Sequence, residues 1–430
     1  MTDNEYVGLF SNSKASPVPI CTTLAEQEAR YAVQDRNTPE DEYDNHMFTS
    51  QVSVHHHDRA ILDNLISEHL PKAAGGRQGV YRKQFEWHLE QLLLNLGRAI
   101  LCHRWLLVPE HNSHYKGSES WLRAQGFQYK ACKDLLSYFA ETGLVEYKQG
   151  KKFERGSMVS RIYPSKELAG DLAVLALYTQ QPFTGSYVEF TDKASSYNNL
   201  DLSDDHPDMV AMNTINEYLK SHTWPLKGPL RLKYTSSATE GGRIYTAFQG
   251  LPSRSYEVRQ NMLLDGEPTI EIDFSANHIR LCLAVMAGID AGDDPYSAIA
   301  ELAGKNITRE QVKKFITVAM GASCREDALG GAFKAKLNPR LFPHIESATL
   351  ELFPDVTLYT GFGVQAQSLE GQILIKAILA GVEADVPMLP LHDAVVVRQR
   401  DAEVAEKAMF DAWCEVVACS GAEPRLNIKG

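Results

Sequence analysis

Two aspartates stand where short apolar runs end. Thr269-Ile270-Glu271-Ile272-Asp273-Phe274-Ser275 alternates isoleucine with polar residues, which predicts a strand closing at Asp273. Met388-Leu389-Pro390-Leu391-His392-Asp393-Ala394-Val395-Val396-Val397 predicts a strand, a tight turn at the His392-Asp393 pair, and a second strand. Carboxylates brought side by side from two strands repel unless cations lie between them. Such pairs hold two Mg²⁺ ions that clamp the attacking and leaving oxygens of a phosphoryl transfer. Between the aspartates, the stretch from Ile307 to Thr317 predicts a helix capped by Thr308, with Arg309, Lys313 and Thr317 on one face. Cations one turn apart suit a triphosphate better than a single carboxylate. Taken singly, a strand-end aspartate is more often a turn former and a Lys/Arg helix face is more often merely solvated. Their order along the chain carries more weight.

The elements that must position these residues follow from periodicity. Phe85, Leu89, Leu92, Leu93, Leu96 and Ile100 recur at helical spacing, and Trp105-Leu106-Leu107-Val108 is a short apolar run stopped by Pro109. Tyr129 to Phe139 predicts a second helix, closed by Gly143 and followed by Leu144-Val145-Glu146-Tyr147. A charged tip, Lys148-Gln149-Gly150-Lys151-Lys152, leads into Ser160-Arg161-Ile162-Tyr163-Pro164. Helix, glycine, strand, basic turn and return strand resemble a winged helix-turn-helix domain. In such a domain the helix carrying Lys130 and Lys133 would enter a nucleic-acid groove, although winged helices also serve as protein-contact modules. A further helix is expected from Met209 to Leu219, within a connector rich in Thr, Ser and Asp. Residues 1–50 are polar and read as a disordered or loosely docked arm. The triplet His55-His56-His57 cannot direct three rings at one ion from a helix or strand, so a polar surface stretch is the expectation there.

Composition bounds the function classes. The 430 residues carry a net charge of -12, with 44% hydrophobic and 23% charged residues, as in ordinary globular proteins of two or three domains. The charge is uneven: residues 1–59 balance at -6, 60–170 at +5 and 171–430 at -11. A basic segment between acidic ones fits an enzyme that binds a polyanion through a local groove and metals. No run of 18 apolar residues spans a bilayer. The opening Met-Thr-Asp-Asn-Glu is not a secretory leader, and seven scattered cysteines fit reduced thiols, so a cytoplasmic location is expected.

The order of motifs from Gly241 onward resembles the palm and fingers of the family A polymerases, which include DNA polymerase I and the single-subunit phage-type RNA polymerases. Gly242-Arg243 followed by Gln249-Gly250-Leu251-Pro252-Ser253-Arg254 looks like the family's stretch that approaches primer and template. Asp273-Phe274-Ser275-Ala276-Asn277-His278-Ile279-Arg280 is similar to motif A, and Asp294-Pro295-Tyr296 to the short motif after it. Arg309 and Lys313 match the triphosphate-binding residues of motif B. Gln367 with Glu370 and Gln372 is similar to the glutamine-bearing helix before motif C, and His392-Asp393 matches motif C itself. The resemblance does not cover residues 1–230.

The resemblance implies an α+β fold, a right-hand palm and fingers preceded by the winged-helix-like domain. The expected boundaries are an arm at 1–59, the winged-helix-like domain at 60–170, a connector at 171–235 that could serve as a thumb, and palm with fingers at 236–430. It further implies that Asp273 and Asp393 bind two Mg²⁺ ions, for which Mn²⁺ can substitute. Lys313 would protonate the departing pyrophosphate, with Arg309, His278 and Tyr296 around the nucleotide. Arg243, Gln249, Arg254, Gln367 and His392 would contact primer and template. The partners implied are DNA, as primer-template or single strand, and dNTP or NTP. Two departures bear on specificity: His278 stands where the DNA polymerases carry a glutamate, and Gly321 or Met320 stands in place of the motif B tyrosine. The implied function is a compact DNA polymerase acting in DNA replication. The alternatives are a primase or RNA polymerase, a template-independent terminal transferase, and a non-catalytic DNA-binding replication protein that keeps a palm-like scaffold.

Overall fold

A computed structural model describes residues 59–117, 120–153, 156–190, 202–235, 241–251, 258–304, 306–418 and 421–429. It also describes 45–47, 49, 52–54, Glu26, Val33 and Pro39. Arg254, the histidine triplet and most of the 1–59 arm lie outside the described residues. The chain forms two compact units. The first comprises Met1–Pro182, Leu219–Gly228 and Gly250–Pro268, the second Phe183–Tyr218, Pro229–Gln249 and Thr269–Gly430.

The first unit runs through β1 (Asn45–Met47), β2 (Ser53–Val54), α1 (Ala60–Ala74), α2 (Gly79–Leu101), β3 (Trp105–Leu107), α3 (Trp121–Ala124) and α4 (Tyr129–Glu141). It continues through β4 (Val145–Lys148), β5 (Lys151–Phe153), β6 (Gly156–Met158), β7 (Arg161–Pro164), α5 (Lys166–Leu177) and β8 (Thr179–Gln180). The apolar stripe expected from Phe85 to Ile100 is the buried face of α2. Gly97 lets α2 cross α5 closely, because an added Cβ would meet the Leu172 carbonyl oxygen at 2.7 Å. Four strands pair in the order β1-β3-β7-β4, with β7 antiparallel to both β3 and β4, while β5 and β6 form a separate hairpin. On α4, Cys132, Leu135, Leu136 and Phe139 are buried, which turns Lys130 and Lys133 outward. His88 ties α2 to the start of α4. Its Nδ1 lies 2.6 Å from the Gln84 carbonyl oxygen, and its Nε2 accepts the Gln128 backbone N–H at 2.9 Å. Only a neutral ring protonated at Nδ1 satisfies both partners, and burial lowers its pKa accordingly.

The second unit opens with β9 (Val188–Phe190), α6 (Pro207–Leu219), β10 (Arg231–Tyr234) and β11 (Gly241–Tyr245), with strands ordered β11-β10-β9. β12 (Leu263–Leu264) pairs with Glu267 and Pro268 within the first unit, and β13 (Glu267–Phe274) continues from there into the second. Then follow α7 (Asn277–Ala287), α8 (Pro295–Ala303), α9 (Arg309–Gly321), α10 (Arg325–Lys334), α11 (Phe342–Leu352) and α12 (Phe362–Glu383). The unit ends with β14 (Leu389–Leu391), β15 (Ala394–Arg398), α13 (Ala402–Val417) and β16 (Leu426–Lys429). β13 is central, antiparallel to β15 on one side and to β16 on the other. Ile272, Val395 and Val397 are fully buried, as is Trp413 of α13, and α12 packs against both α13 and β11. The crossing of α12 and β11 depends on Gly371, where an added Cβ would collide with the Gly242 carbonyl oxygen.

Candidate active site

Asp273 lies one residue from the end of β13, opposite Ala394 of β15. Asp393 immediately precedes Ala394, in the two-residue turn between β14 and β15. Pairing of β13 with β15 therefore brings the two aspartates to the same end of the sheet. The backbone leaves both strand ends abruptly. Ala276, before α7, has φ 53, and His392, the first turn residue, has φ 60. Neither is a glycine, so each left-handed conformation costs about 1–2 kcal/mol.

A third carboxylate joins them. Glu370 of α12 is 1% exposed and accepts from Arg243 Nη2 of β11 at 3.2 Å. Asn277 Nδ2 donates to Glu370 Oε1 at 3.3 Å, Trp413 Nε1 donates to Asn277 Oδ1 at 3.2 Å, and His278 Nδ1 lies 3.6 Å from Glu370 Oε1. The close crossing at Gly371 sets this arrangement, since it holds Glu370 beside Arg243. Burial, then the negative charges of Glu370 and Asp273, push the Asp393 carboxyl up to about 7. A divalent cation would relieve that repulsion. Two hard carboxylates fit the oxygen-ligand preference of Mg²⁺. Among the described residues, no three Asp, Glu, His or Cys side chains converge on one metal position. Asp273 and Asp393 could hold ions only with ligands from substrate and solvent.

Two helices bring cations and an aromatic ring. Thr308 and Gln311 form the capping box that starts α9. Arg309 Nε donates to Asp294 Oδ2 at 2.8 Å, and its guanidinium lies 5.5 Å from the centre of the Tyr296 ring. Asp294 caps α8, accepting from the Ser297 backbone N–H at 3.3 Å and hydroxyl at 2.7 Å. Tyr296 is buried; that burial, reinforced by the charge on Asp393, raises its phenol above the ordinary range. Tyr296 thus feels the charges of both Asp393 and Arg309. Lys313 lies one turn beyond Arg309, exposed and without an ion pair among the described residues.

The remaining candidates are placed as follows. Gln249 spends its amide hydrogens within the protein, donating to the Ile244 carbonyl at 3.0 Å and the Pro390 carbonyl at 2.9 Å. Gln367 is half-buried on α12, one turn before Glu370, and His392 is exposed at its turn. Lys130 pairs with Asp134 at 3.2 Å, and Lys133 lies 6.0 Å from the centre of the Tyr129 ring, both in the first unit. The sequence reading named Glu370 only as a neighbour of Gln367 and gave it no role. Its signal is an acid in mid-helix, on a face whose other buried residues are mostly apolar, directly before a glycine.

No family model and no curated protein matches the chain. Among solved structures it is similar to the POL domain of Pol1 from M. smegmatis, solved in complex with DNA primer-template and dNTP. The TM-score is 0.33 at 13% identity, covering 94% of this chain and 69% of that one. That likeness is too distant to assign a fold, so the functional reading rests on the residues of the site.

Proposed function

We propose that the chain is a nucleotidyltransferase, a compact DNA polymerase of the family A type that extends a 3′-hydroxyl with nucleoside triphosphates. The observation that carries this reading is the meeting of Asp273 and Asp393 at one end of the sheet, where Asp393 is held near the protonated form by burial, Glu370 and Asp273. Two Mg²⁺ ions, or Mn²⁺ in their place, supply the charge that activates the hydroxyl and stabilises the transferring phosphoryl group. Asp273 and Asp393 are the residues that hold them. Arg309 binds the β- and γ-phosphates, and Asp294 with the Tyr296 ring orients its guanidinium in advance of binding. Lys313, whose ammonium has no competing carboxylate among the described residues, donates the proton to departing pyrophosphate.

His278, held near Glu370, lines the sugar pocket, and Tyr296 attends the nucleotide beside Arg309. Arg243, Gln249, Arg254, Gln367 and His392 attend the primer and template. In the first unit, α2, β3, α3, α4 and β4, then the β5-β6 hairpin and β7, follow one another in winged-helix order with sheet order β3-β7-β4. That order supports the reading of α4, with Lys130 and Lys133, as a DNA-groove helix.

The test is Mg²⁺-dependent incorporation of labelled nucleotide, dNTPs against NTPs, with and without a primed template. Templated dNTP addition that disappears in Asp273→Asn and Asp393→Asn supports the reading. NTP addition or untemplated addition would shift it to a primase or a terminal transferase, and no incorporation under any condition would end it.

A further inference from the structure

Lys429 is a charged group beside Asp273 to which the polymerase reading assigns no task. Its Nζ lies 2.5 Å from Asp273 Oδ2 and 3.0 Å from Glu271 Oε1. Strand register explains the double contact. In the β13-β16 pair Lys429 stands opposite Glu271, and Asn427 stands opposite Asp273. Residues two apart on a strand share a face, so one long stem can reach its direct partner and the diagonal neighbour together. The Lys429 side chain is 53% exposed against 22% for Asp273, so the ammonium has solvent to move into while the carboxylate does not.

The charge pattern gives this contact a purpose. Arg243 offsets Glu370, and Lys429 offsets Glu271 and Asp273. Among the described residues, Lys429 is the cation paired with the Asp273 carboxylate.

We propose that Lys429 is a resident cation that occupies Asp273 in the metal-free protein and must be displaced when a divalent ion binds there. The proposal rests on the reading of Asp273 as a metal ligand. Displacement removes one of two ion pairs, because Glu271 stays directly opposite Lys429 and keeps the ammonium close. The exchange therefore weakens metal binding without forbidding it. The lysine returns as soon as the ion leaves, so the carboxylate is never left bare.

The experiment is titration of the full chain with Mn²⁺ alone, reading free Mn²⁺ by electron paramagnetic resonance, with no nucleotide or DNA. Lys429→Met and Lys429→Gln are compared with wild type and Asp273→Asn, and far-ultraviolet circular dichroism reports whether each is folded. β16 pairs through its backbone, so both lysine variants are expected to fold. Removing a partly exposed ion pair should tighten Mn²⁺ binding about two- to fivefold in either variant. Asp273→Asn should lose the site. Unchanged or weaker binding in the folded lysine variants, with the site still lost in Asp273→Asn, would overturn the proposal and leave Asp273 as a metal ligand. Binding that Asp273→Asn does not alter would overturn both.

Discussion

Asp393 is the residue where stability and chemistry oppose each other most directly. Its carboxyl is raised in the folded protein by burial and by Glu370 and Asp273. A carboxyl with a raised folded pKa favours folding while it stays protonated. That contribution is complete below the ordinary carboxylate range and is lost as pH rises towards about 7. At pH 8 the metal-free protein therefore carries the full repulsion. Asp393→Asn removes it, and should melt about 2–4 °C above wild type at pH 8, corresponding to about 1 kcal/mol. The gap should close towards pH 5, and incorporation should be abolished. A variant melting below wild type at pH 8 would contradict the repulsion. Arg309 and Lys313 divide differently. On the proposed reading, Arg309, already oriented by Asp294, binds the triphosphate alike in ground and transition states, so Arg309→Ala should chiefly raise KM for nucleotide. Lys313→Ala should chiefly lower kcat, because a proton is needed only as pyrophosphate leaves. Steady-state kinetics with the opposite split would exchange their roles.

The elements show which parts of the site could be read from sequence. The β13 strand end at Asp273, the β14-β15 turn at His392-Asp393 and the Thr308 cap all depend on residues within a few positions of one another, and each lies where the local pattern put it. Glu370 and Lys429 escaped for a common reason. Arg243 meets Glu370 across 127 positions and Lys429 meets Asp273 across 156, so neither pairing leaves a local trace. The first depends on how closely α12 can approach β11. Gly371→Ala should force α12 away from the Gly242 carbonyl, destabilising by about 1–3 kcal/mol and loosening the Glu370-Arg243 pair. Gly330 on α10 is the matched control, since an added Cβ there meets nothing within 4 Å. Gly330→Ala should be neutral or stabilise by about 0.5–1 kcal/mol. Thermal unfolding of the two variants decides it, and equal effects at both positions would remove the close crossing as the cause.

Across the whole molecule, charge separates two stretches of the chain. The segment 60–170 carries +5, whereas 171–430 carries -11. On the proposed reading, the acidic stretch would neutralise phosphates with metals and a few placed cations such as Arg309 and Lys313. It has little general attraction for DNA. Most non-specific affinity should therefore reside in the basic segment, where α4 turns Lys130 and Lys133 outward and the stretch after β4 carries Lys151 and Lys152. Lys130 already pairs with Asp134, so its share should be smaller than that of an unpaired lysine. Each phosphate contact adds to the salt dependence of binding, because each releases a condensed counterion. Replacing Lys130, Lys133, Lys151 and Lys152 together with alanine should weaken DNA binding and flatten its dependence on salt. Nucleotide binding should be nearly unchanged, since it depends on Arg309, Lys313 and the aspartates. Titrations with duplex DNA at several salt concentrations measure the slope directly. An unchanged slope would take these four lysines out of DNA binding and make a protein partner the better reading of the basic segment.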